Sequence, residues 1–153
     1  FNLNDIFRCA PQPVDDDTSV AVRAVLSACS AFGAIQTDID EFANFLMYSA
    51  ELNDESYINA FYTDVFMPRW VPLQDALEVL NARTTNWQNS EYNESVADAQ
   101  RLFDEFSSLS NQGEDVDVDR AEAVSREIAV ASIRAHEIPC RAVAEYAETI
   151  GGS

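Results

Sequence analysis

Apolar side chains recur at intervals of three, four and seven residues along most of this chain, and that spacing constrains its fold more than any other feature. On a helix of 3.6 residues per turn such intervals gather side chains into one stripe, whereas a half-buried strand needs strict alternation. Val22, Val25, Leu26, Cys29, Phe32, Ile39, Phe42 and Leu46 form the first stripe, on a helix expected to run to about Glu51. Asp15-Asp16-Asp17-Thr18 precedes it, offering capping oxygens and negative charge to the positive end of the helix dipole. Gly33 costs about 1 kcal/mol relative to alanine there, and reads either as a tolerated defect or as a bend.

The pattern then repeats. Tyr57, Ile58, Phe61, Tyr62, Val65 and Phe66 mark a short aromatic helix, which Met67-Pro68-Arg69-Trp70-Val71-Pro72 is expected to break. Pro72 suits the first turn of a third helix carrying Leu73, Ala76, Leu77, Leu80, Thr84 and Trp87. A fourth, capped by Ser90 or Asn93, carries Val96, Ala99, Leu102, Phe103, Phe106 and Leu109 and stops at Asn111-Gln112-Gly113. The fifth aligns Ala121, Val124, Ile128, Ala131, Ala135 and Ile138, then kinks or restarts at Pro139 and continues through Ala142, Val143, Tyr146, Ala147 and Ile150. Residues 1–17, with Pro11 and Pro13 and no sustained period, read as an extended N-terminal arm. The expectation is therefore an all-α, antiparallel four- to five-helix bundle: an arm over 1–17 and one helical domain over 18–153.

Length supports a single domain: 153 residues can bury an ordinary core. The hydrophobic fraction of 47% and only four glycines and five prolines argue against disorder. The apolar runs fall well short of the roughly 20 residues a bilayer span requires, so no membrane span is expected. Phe1 in place of an initiator methionine reads as a mature, trimmed chain. A formal net charge of -18 repels phosphate backbones and anionic lipid, which disfavours nucleic-acid partners and makes a basic protein partner conceivable. All nine basic residues are arginine, a bias that composition does not explain.

Cys9, Cys29 and Cys140 show neither CxxC nor zinc-ligand spacing. Cys29 falls on an apolar stripe, where a thiol behaves as a small hydrophobe, which leaves Cys9 and Cys140 as the candidate disulfide. Such a bond implies an extracellular or other oxidising lumen for a soluble protein. The sequon Asn93-Glu94-Ser95 is compatible with export.

The chemistry of catalysis is not written in these residues. His136 is the only histidine, so paired-imidazole metal sites, HExxH motifs and histidine-based triads have no second member, and it reads as an ordinary structural or surface residue. No glycine pattern cradles a phosphate. Asp115, Asp117 and Asp119 alternate like the opening of a calcium loop, but the glycine and distant glutamate are missing, so they read as a capping, solvated run. No catalytic residue, cofactor or metal ligand is expected, and the chain reads as a non-enzyme.

Aromatic residues cluster from Phe42 to Trp70. At helical spacing they ordinarily form core, yet their local excess makes Phe42, Phe45, Leu46, Phe61, Phe66 and Trp70 the candidate surface for a partner or an apolar ligand. The leading functional expectation is a non-enzymatic accessory or structural protein that docks on a larger assembly through the arm and the aromatic second helix. One alternative is an extracellular carrier of an apolar small molecule, such as a fatty acid, lipid or pigment. Another is an acidic inhibitor or immunity-type protein for a basic enzyme.

Overall fold

A computed structural model of the chain describes residues 14–49 and 55–150. These are 86% helical and include no strand, so the fold is an all-α helical bundle. The arm expected over 1–17 lies almost wholly outside the described residues.

Helix α1 spans Asp16–Gly33, two residues ahead of the expected boundary, because Asp15 is the cap: its Oδ1 accepts from the Thr18 amide at 2.7 Å. The long first helix divides. Gly33 ends α1, α2 resumes over Gln36–Tyr48, and the two are bent by 65°. The bend lets one stripe serve two directions: Val22, Val25 and Phe32 on α1, and Ile39 and Phe42 on α2, are all fully enclosed. Among the described residues no single helix is long and apolar enough to cross a membrane. The bent α1–α2 pair passes on length and composition alone, and its apolar faces are core.

The break expected at Met67–Pro72 does not occur. Helix α3 (Glu55–Ala60) passes through a π-helical turn (Phe61–Phe66) into α4 (Met67–Arg83), with Pro68 near its start and Pro72 inside it. The wider turn is what admits the prolines: the Met67 amide reaches back five residues to the Tyr62 carbonyl, shifting the ladder where two donors are missing. Arg69 Nη1 adds a donor to the Val65 carbonyl at 2.8 Å. The same turn stacks Phe61 on Phe42, centroids 3.9 Å apart, and sets Tyr62 edge-on to Phe42.

Helix α5 spans Ser90–Ser110, capped by Asn89 rather than by Ser90 or Asn93: the Asn89 side chain accepts from the Tyr92 amide at 2.9 Å. Gly113, at φ 64°, turns the chain after it in a conformation open to glycine without strain. Asp117 caps α6 (Val118–Arg134) by accepting from the Arg120 amide, as the capping reading of the acidic run expects. The final break falls at Ala135-His136, ahead of Pro139, and α7 runs Glu137–Thr149. Pro139 thereby sits in a first turn, where its missing N–H costs nothing.

α1 packs chiefly on α4 and on α7, α2 packs on α6, and α5 leans on α6 and α7. A disulfide joins Cys29 on α1 to Cys140 on α7, Cα atoms 5.8 Å apart. The expected Cys9–Cys140 pairing is corrected accordingly: the thiol assigned to the apolar face is the one that α7 reaches, and Cys9 lies outside the described residues. The bond closes 111 residues of sequence across the centre of the bundle.

Candidate functional site: an apolar cleft beside α5

Helix α5 carries the strongest departure from the expected packing. Of its stripe only Leu109 is buried, while Val96 is 53%, Phe103 50% and Phe106 37% exposed. Tyr92 is its one side chain against the main core. The reason lies in its neighbours. α1, α4 and α7 already close the core around Val22, Leu73, Leu80 and Val143, so α5 is added outside it.

Polar bonds hold it there. Arg120 of α6 donates to Glu105, Arg141 of α7 pairs with Glu91, and the capping Asn89 donates to Glu145 of α7 at 3.1 Å. Glu105 is consequently held below the usual carboxylate range, first by the hydrogen bond from Arg120.

Between α4, α5 and α6 this arrangement leaves a cleft of about 480 Å³, walled by Trp70 and Leu77 of α4, Ala99 and Leu102 of α5, and Ala131 of α6, with Ile138 and Pro139 at one end. A further hollow of about 210 Å³ shares Trp70, Ala99, Leu102, Ala131 and Ala135 and extends to Phe103 and Ile128. Alanines leave the room: Ala99, Ala131 and Ala135 line both spaces with a methyl group where a larger side chain would fill them. The Trp70 ring is fixed by stacking on Phe66, centroids 5.3 Å apart.

The mouth is polar. Arg134 forks between Asp40 of α2, at 3.0 Å, and Glu137 of α7, at 3.2 Å, and Asp98 pairs with Arg101 on α5. Asp40 is held below the usual carboxylate range, chiefly by the Arg134 hydrogen bond and then by Gln36.

The aromatic candidates separate into two groups. Phe42, Leu46, Phe61 and Phe66 belong to the core, each no more than 6% exposed. Phe45 is half-buried beside Phe42 and Tyr57. Trp70 alone of the six reaches the cleft. Leu77, Ala99, Leu102, Ala131, Ala135 and Ile138 fall on the helical stripes read from the sequence, but the sequence marks none of them as lining a site, and Asp98, Arg134 and Glu137 fall on no stripe. The available signal was the alanine content of the α5 and α6 stripes.

Two other places carry less. A hollow of about 420 Å³ beside Trp87 is rimmed by Asn86, Asn89, Glu145 and Thr149 and lacks a continuous apolar wall. A shallow hollow by Tyr57 is bordered by Asp38, Glu41 and Asp64. Among the described residues no group of three His, Cys, Asp or Glu side chains is placed to hold a metal ion. His136 is buried and stacked on Phe32, away from a reactive partner. No protein-family model, curated protein or solved structure matches the chain.

Proposed function

We propose that this protein is a non-enzymatic carrier that holds an apolar small molecule in the cleft between α4, α5 and α6. The observation that carries the reading is the cleft itself: a concave space of about 480 Å³, within the range of small-molecule sites, with a mostly apolar lining drawn from α4, α5, α6 and the start of α7. Its tertiary setting supports the same reading. The disulfide and the α1–α4 packing fasten one side, while α5 is tied by exposed hydrogen bonds and ion pairs that can yield without opening the core. The Cys29–Cys140 bond fits an extracellular or other oxidising compartment, which we propose as the site of action.

The test is direct. Native protein extracted with organic solvent should release a stoichiometric apolar compound, and Ala131→Leu, which fills the cleft, should abolish uptake while leaving the helical circular dichroism unchanged. Clean extracts from native protein, or undiminished uptake by Ala131→Leu, would rule the carrier out.

The accessory-protein reading has one observation in its favour, the exposed Val96, Phe103 and Phe106 on α5. Docking would then use α5, since Phe61 and Phe66 of the aromatic second helix are enclosed and, of the large apolar side chains in that region, only Tyr57, Met67 and Val71 are exposed. Association with a larger assembly that survives high salt and is lost in Phe103→Ser would favour it.

A further inference from the structure

We infer that the cleft selects amphiphiles with a cationic head over those with a neutral or anionic one; this rests on the carrier reading above and specifies the ligand it takes. The apolar walls cannot choose between heads, because Trp70, Leu77, Leu102 and Ile138 would receive the same hydrocarbon body from any of them. The choice falls to the mouth.

Its one lining cation, Arg134, is already paired: Nη2 donates to Asp40 and Nη1 to Glu137, so an incoming carboxylate or phosphate competes with two carboxylates for the same guanidinium. Asp98, the other lining carboxylate, is matched by Arg101. Of the charged groups that line the cleft, Asp98 and Glu137 against Arg134 leave one negative charge in excess, within a chain of net charge -18. An anionic head meets repulsion from both the local excess and the overall field. An ammonium head can share Glu137 without breaking the Arg134–Asp40 pair.

Three probes of one chain length separate the possibilities: dodecyltrimethylammonium, dodecanol and dodecanoate, each titrated below its aggregation threshold by calorimetry at low salt. The expected result is one-to-one binding with the ammonium probe at least tenfold tighter than dodecanoate and tighter than dodecanol. The Asp98→Asn, Glu137→Gln double variant should narrow the ammonium-to-dodecanoate ratio several-fold. Asp119→Asn, which removes one charge about four turns from Arg134 along α6, should leave that ratio nearly unchanged and so exclude general adsorption to an acidic surface.

Dodecanoate binding as tight as the ammonium probe, a preference for dodecanol, or a ratio that Asp119→Asn lowers as much as the mouth variant does, would overturn the inference while leaving the carrier standing. Failure of all three probes to bind one-to-one would remove both.

Discussion

The imidazole of His136 lies flat against the ring of Phe32, centroids 4.0 Å apart and planes 9° from parallel, at the break between α6 and α7. Burial pushes its pKa below the ordinary value, against the opposing pull of Glu137 and of a backbone hydrogen bond at Ile133. Above about pH 6.5 the imidazole is neutral in both folded and unfolded chains. As pH falls through 6.5 the unfolded chain takes up a proton that the buried ring resists, so stability is lost from there toward the folded pKa.

Urea midpoints measured at pH 7.5 and pH 5.5 should therefore differ more in the native chain than in His136→Phe or His136→Gln. An equal difference in all three would assign the acid sensitivity elsewhere.

Asp15 provides a second, lower window. Hydrogen bonds from Thr18, and then from Arg83, bring its pKa down from 3.8 to about 2. The folded state prefers the carboxylate, so this contribution is present above pH 3.8 and disappears as pH falls toward 2. Asp15→Asn, which keeps an acceptor for the Thr18 amide, should flatten stability over that window, read as the acid-unfolding midpoint followed by circular dichroism.

Breaking the Cys29–Cys140 bond frees a loop of 111 residues in the unfolded chain. Paired substitution to alanine should cost about 2–5 kcal/mol and lower Tm by roughly 10 °C. Reduction of the native protein should give a similar loss, and Cys9→Ala should leave the thermal shift on reduction intact.

Arg126 of α6 closes the end of α2: Nη1 donates to the Leu46 carbonyl at 2.6 Å and Nη2 to the Ser49 carbonyl at 2.9 Å, with its side chain only 14% exposed. Arg126→Met leaves both carbonyls without this donor and should cost about 2 kcal/mol. Glu122→Gln removes only the exposed partner of the pair and should cost well under 1 kcal/mol. Chemical denaturation of the two variants distinguishes a terminal cap from a surface ion pair.

Three of the nine arginines each hold more than one group. Arg83 reaches Asp15 and Thr18, Arg126 reaches two carbonyls and Glu122, and Arg134 reaches Asp40 and Glu137. Each uses the planar fork to hold more than one acceptor at once, a geometry that a single ammonium does not reproduce.

Helical periodicity by itself determined the fold class and most of the buried residues, from Val22 and Val25 to Val143 and Ala147, because burial on one face follows directly from side-chain spacing. Local chemistry also determined the Gly113 stop and the capping role of the 115–119 acidic run. Tertiary structure decided the rest. Passage of α4 through Pro68 and Pro72 depended on a π turn that stacks Phe61 on Phe42, a contact between residues distant in sequence. The choice of Cys29 over Cys9 as partner to Cys140 depended on which helix lies against α7. The cleft depended on α5 arriving at a core already filled. An apolar stripe states that a face can be buried, but whether another helix has room to cover it is fixed only when all of them are packed.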